Sequence, residues 1–272
     1  MRLKQKKYTG LFLNIDKSIF PNKKSQVTIF IILGLIIVVI FLIIFLLMTA
    51  PPKVESYNEK NPQSYIEKIT TEALEEAIET LSMQGGDMTP SGSVFYNGTE
   101  IVYICYSGEF YKKCISQRPL LVEHIEQEIT NYITPKIQAG FDKLESDLTE
   151  DNRYVIESGE MKVITKLYPK LVIVEIDKKF KLQRGDLTRE FDHFKINMIN
   201  PIYDFAKITN IIANQEAQYC HFDNLGYMIL YPDYDIKSTI TGDSDTIYTI
   251  TERSTGLSFS FATKSCLMPP GF

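Results

Sequence analysis

From Val27 to Ala50 the chain runs 24 residues without a charge, and only Thr28, Gly34 and Thr49 leave the apolar set. A helix of that length, rising about 1.5 Å per residue, reaches about 36 Å, against about 30 Å for the hydrocarbon core of a bilayer. A surface helix of a globular domain keeps a polar face, and this stretch offers none. The run therefore predicts a transmembrane helix over 26–50. Pro51-Pro52 closes it, because proline brings no amide hydrogen and clashes with the preceding turn. A cleaved secretory signal is the competing reading, but its apolar region extends to about 15 residues and this one is longer.

Charge gives the orientation. Arg2, Lys4, Lys6, Lys7, Lys17, Lys23 and Lys24 precede the run, whereas Lys53 is the only basic residue just after it. The positive-inside rule then expects a basic cytoplasmic tail over 1–25, a short polar stalk over 51–61 and an extracytoplasmic domain over 62–272. Residues 51–272 hold 22 of the 29 basic and 33 of the 34 acidic residues, a balance of −11. Nucleic acid is not an expected partner, since phosphate binding needs clustered positive charge. The expected partners are the lipid bilayer and other envelope or pilus proteins.

Lys23-Lys24-Ser25-Gln26-Val27-Thr28 stands directly before the apolar run. A basic pair, a small residue, Gln and then Ser/Thr resembles the class III signal of archaeal type IV prepilins. The resemblance implies cleavage between Ser25 and Gln26 and survival of the apolar segment as a filament-core helix. Phe30 departs from it, standing where many such pilins have Glu. The alternative is an uncleaved basic cluster flanking the membrane. Gln26-Val27-Thr28-Ile29-Phe30-Ile31-Ile32, Gln84-Gly85-Gly86 and Phe259-Ser260-Phe261-Ala262 also resemble segments of single-pass membrane proteins of small-genome archaea. That family has no settled activity, so the likeness implies a location and no mechanism.

Beyond the stalk, Asn61-Pro62 starts a helix, Ile66, Ile69, Ala73, Ala77 and Leu81 form its apolar stripe, and Gly85-Gly86 ends it. Val94–Tyr96 and Ile101–Ile104 flank Asn97-Gly98 as a hairpin. Residues 119–148 carry a longer helical stripe from Leu121 to Leu148, with Pro135 expected to kink or divide it. Val172, Val174, Ile176, Phe180 and Leu182 then alternate as a half-buried strand, with 161–167 as hairpin partner. Asn200-Pro201 opens a third helix to about Ala217, and strands are expected at 227–231, 234–241, 246–251 and 257–263. The fold class that follows is α+β: one transmembrane helix, then a single domain of antiparallel sheet packed with about three amphipathic helices.

Cys105, Cys114, Cys220 and Cys266 all follow the apolar run. An even count in an oxidising compartment suggests two disulfides, against free thiols or a zinc site, and four Cys allow three pairings; Cys105–Cys114 would close a local loop and Cys220–Cys266 would clamp the C-terminal strands. Asn97-Gly98-Thr99 is the chain's one glycosylation triplet, on an expected turn. His124, His193 and His221 form no His-Glu-x-x-His motif, and the chain has neither Gly-x-Ser-x-Gly nor a phosphate-binding glycine loop. Asp233-Tyr234-Asp235 and Asp243-Ser244-Asp245 could offer oxygens to calcium but lack the rest of an EF-hand, which favours ordinary turn acids. Sixteen Tyr and sixteen Phe invite a carbohydrate- or peptide-binding reading, weighed against core packing. No catalytic, cofactor or metal residues are assigned. The leading expectation is a non-enzymatic cell-surface protein for scaffolding, adhesion or pilin-like assembly. Its alternatives are an anchored extracytoplasmic hydrolase and a solute-binding accessory subunit.

Overall fold

The computed structural model describes residues 32–42, 61–150 and 154–267. The basic tail, the Ser25–Gln26 junction, both ends of the apolar run and most of the stalk lie outside these residues. Within the run, residues 32–42 form helix α1, whose apolar side chains from Ile32 to Leu42 stand exposed. No helix among the described residues is long and apolar enough to cross a membrane. Residues 57–272 cluster as a unit of their own, and the remainder of the fold concerns that unit.

Helix α2 (Pro62–Gln84) begins where Asn61 caps the Ser64 amide and Pro62 fits the first turn. It ends at Gly85, whose amide bonds the Leu81 carbonyl. Strands β1 (Ser93–Tyr96) and β2 (Thr99–Tyr106) form the expected hairpin. Asn97 and Gly98 at its tip both have positive φ, 48° and 88°, the geometry for which this pair is suited. A two-residue strand, β3 (Ile115–Ser116), returns against the end of β2.

Helix α3 (Leu121–Glu150) is continuous, with Pro135 inside it. Of the expected kink or division at Pro135, the division does not occur, and burial explains why the helix persists. Leu121, Ile125, Ile129 and Ile133 before the proline are fully buried, as are Ile137, Phe141, Leu144 and Leu148 after it. Packing on both sides outweighs the penalty of about 3 kcal/mol for an interior proline. At Gly140 a Cβ would meet the Ile69 Cδ1 at 3.0 Å, so a glycine lets α2 and α3 approach there.

Three long strands follow as a meander: β4 (Val155–Tyr168), β5 (Leu171–Arg184) and β6 (Leu187–Ile199). One face packs on α3 through Val172, Val174, Ile176, Phe180 and Leu182, the alternation legible in the sequence. The other face carries directly opposed ion pairs, Lys195–Glu175, His193–Asp177 and Lys181–Glu157. Both pairings slip at the same level, near Ser158/Met161 and Asp177/Phe180. There Lys178 turns onto the buried side, donates to the Gly159 carbonyl at 2.8 Å and lies over the Phe141 ring.

Helix α4 (Ile202–Tyr219) is the third amphipathic helix. The segment 227–231, expected as a strand, instead belongs to a short helix, α5 (Asn224–Leu230), capped by Asp223 on the Gly226 amide. Strands β7 (Tyr234–Ile240), β8 (Thr246–Glu252) and β9 (Ser258–Lys264) complete a sheet of order β1-β2-β9-β8-β7, with β3 beside β2. That sheet is not wholly antiparallel: β2 and β9 run parallel, joining the N-terminal hairpin to the C-terminal strands. The result is α+β. Helices α2 and α4 each touch both sheets, so one apolar core runs through the unit. Glu126 on α3 holds β4 by accepting from the Leu167 amide and pairing with Lys166, and Lys170 at the β4–β5 turn pairs with buried Glu252 on β8.

Candidate functional site

The parallel β2–β9 pairing sets Tyr106 beside Lys264, and the antiparallel β8–β9 pairing ends at Thr246–Thr263. One residue further, Asp245 therefore meets Lys264. The Asp245 carboxylate is buried, with Oδ1 2.8 Å from the Tyr103 hydroxyl and 2.9 Å from the Lys264 ammonium. Thr241 Oγ1 donates to Oδ2 from the other side and accepts from the Asp245 amide. Burial, together with the Asp245 carboxylate that accepts its proton, pushes the Tyr103 hydroxyl up from the usual tyrosine range. Hydroxyl and ammonium are thus held as donors in fixed positions.

Above this cluster lies an open cleft of about 730 Å³, within the size range of ligand pockets. Its rims carry Phe95 from β1, Phe110 from the loop after β2, and Asp243 and Ser244 from the β7–β8 turn. Tyr103 and Tyr106 stand side by side, ring centroids 5.0 Å apart, and Phe95 is 72% exposed. A second cleft of about 250 Å³, lined by Gln117 and Arg118, shares the same two tyrosines. The Cys105–Cys114 disulfide, Cα atoms 5.3 Å apart, ties down the loop that carries Phe110. The arrangement can bind; it presents aromatic side chains, a held ammonium and hydroxyls, and one exposed carboxylate, Asp243.

Cys220 and Cys266 are also bonded, Cα atoms 5.8 Å apart. The link joins the end of α4 to the chain after β9, so it clamps a helix to the sheet and not one strand to another. Asn97 sits exposed on the β1–β2 turn. Ser25 and Gln26 lie outside the described residues. Of the acids considered for calcium, Asp235 pairs with Arg253 and Lys237, and Asp245 with Lys264. Among the described residues no three His, Cys, Asp or Glu side chains gather as a metal site.

A second polar cluster surrounds Asp87, just past the α2 C-terminus. Its carboxylate is buried, with Arg118 Nη2 at 3.0 Å and His124 Nε2 at 2.6 Å. Burial pushes this carboxyl up, but the His124 and Arg118 hydrogen bonds and the guanidinium charge outweigh it. The net position lies below the usual aspartate range. The cluster fastens α3 and the segment before it to the α2 terminus. A lowered carboxyl contributes stability above its unfolded pKa and loses it as pH falls through the folded value. Asp87→Ala should therefore cost about 2–3 kcal/mol at pH 7 and much less at pH 3, as read by urea unfolding at both pH values. On α4, burial pushes the Glu216 carboxyl up, and it accepts from the buried Tyr248 hydroxyl inside the core.

Tyr103, Tyr106, Phe95, Phe110 and Lys264 were not marked individually by the sequence, although the excess of aromatics and the Asp243-Ser244-Asp245 triplet were. No protein-family model, no curated protein and no solved structure matches the chain.

Proposed function

We propose that the chain is a membrane-anchored cell-surface protein whose α+β domain faces outward and acts by binding, without catalysis, in envelope scaffolding or adhesion. One observation carries the reading: all four cysteines follow the apolar run and all four are joined in disulfides. Disulfides persist in oxidising compartments and are rare in the cytosol, so they favour the same side for this domain as the basic N-terminal flank does. The exposed apolar side chains of α1 suit a lipid environment better than water.

Binding is favoured over hydrolysis by the state of the acids in the main cleft. A carboxylate pair for glycoside or ester chemistry needs one free base or nucleophile and one acid in reach of the same bond. Asp245 is instead committed to Tyr103, Lys264 and Thr241. Pilin-like assembly is a narrower form of the proposal, in which the mature protein starts at Gln26; an intact N-terminus keeps the simple anchor.

The test is the redox state of the native protein. Cells are lysed in denaturant with excess maleimide, and the mass of the protein is read with and without prior reduction. No cysteine should be labelled before reduction and four after it. Labelling of all four without reduction would overturn the outward placement.

A further inference from the structure

We infer that the Tyr103–Tyr106 cleft is a binding site for neutral oligosaccharides, an inference that names the ligand class of the binding module proposed above. The first ground is the exposed rings. Tyr106 and Phe110 are 41% and 53% exposed on the rim of one cleft. Apolar rings left in water around a concavity forgo the burial that would otherwise stabilise them, and a sugar's C–H face covers such rings while its hydroxyls stay hydrated.

The second ground is charge. Asp243 and Asp245 against Lys264 leave the cleft one unit negative, and Lys264 is neutralised by a buried carboxylate at 2.9 Å. Phosphate, sulfate and acidic sugars would meet an unbalanced carboxylate and no free cation. A quaternary amine is held by several rings closing round it as a cage, whereas among the described residues only Tyr103 and Tyr106 of the cleft's rings stand in contact with each other. A neutral polyhydroxyl ligand needs neither. It needs acceptors and donors side by side, which Asp243, Ser244 and the Lys264 ammonium supply.

The third ground is length. The cleft is open, and the smaller cleft of about 250 Å³ continues from the same two tyrosines toward Gln117 and Arg118. A ligand spanning both must be a chain of several units. An extended peptide adding to the sheet edge is disfavoured, because β1 offers only four residues.

The experiment uses the full-length protein in lipid nanodiscs free of glycoside detergent, with calorimetric titration of neutral hexasaccharides of glucose, mannose and N-acetylglucosamine. Choline, a polygalacturonate oligomer and reduced carboxymethylated lactalbumin serve as counter-probes. At least one neutral hexasaccharide should bind with Kd below about 1 mM. Tyr106→Ala and Phe110→Ala, both at exposed positions, should each weaken it by about tenfold while the protein keeps a cooperative urea transition. Binding unaffected by both variants would overturn the assignment of this cleft. Binding of a counter-probe and of no neutral sugar would overturn the ligand class. Failure of every probe would overturn the inference and leave the outward-facing anchor standing, since that rests on the thiol test.

Discussion

Phe141→Ala should lower the unfolding free energy of the α+β domain by about 4 kcal/mol, the middle of the range for a buried aromatic. The side chain is fully buried, and its ring meets Phe180 at 5.7 Å and Phe194 edge-on at 5.4 Å. It is therefore the point at which α3 grips two strands of the long meander at once. The cavity would open at the level where both strand pairings slip and where Lys178 lies over the same ring. Local collapse would require moving a buried ammonium, so little of the lost volume should be recovered. Urea unfolding followed by far-UV circular dichroism reads the effect. A loss under about 1 kcal/mol would mean that the meander does not depend on α3.

Removing the Cys220–Cys266 link by the double substitution Cys220→Ser, Cys266→Ser should cost a similar amount. The closed loop spans 46 residues, and the chain-entropy relation gives about 4 kcal/mol for that length. The enclosed segment holds α5 and strands β7 to β9, including the wall of the cleft made by Gly242 to Asp245 and Lys264. For a domain of this size the melting temperature should fall by about 10 °C under non-reducing conditions. The corresponding double substitution at Cys105 and Cys114 encloses a separation of only nine, for which the same relation gives about 2.6 kcal/mol. If the short link proved the more stabilising, the entropic account would fail.

Periodicity revealed what periodicity can carry. The α3 stripe from Leu121 to Leu148 and the β5 alternation from Val172 to Leu182 each bury one face against one neighbour, so spacing alone reports them. Strand β6 was not legible. Phe191 and Phe194 are three residues apart yet both join the core, because the irregularity opposite Asp177/Phe180 resets the alternation between them. Tyr227–Tyr231 read as a strand because a continuous apolar run has no period, and the Asp223 cap decided for helix.

The cleft was less legible than the fold. Tyr103 and Asp245 stand 142 residues apart and meet only through the parallel β2–β9 pairing. No local pattern announces a parallel contact between the two ends of a domain. The Asp243-Ser244-Asp245 triplet did stand out, but its partner Lys264 sits in a run that reads simply as a terminal strand. Asp87 went unmarked for the same reason, its partners Arg118 and His124 lying 31 and 37 residues further on.

The proposed outward-facing anchor is tested most directly by proteinase K added to intact cells that carry a tag at each end of the chain. The account predicts that the C-terminal tag and the domain are digested while an N-terminal tag survives on a membrane-bound fragment, cut just after the apolar run. Full protection of the C-terminal tag, with digestion only after the cells are lysed, would contradict it.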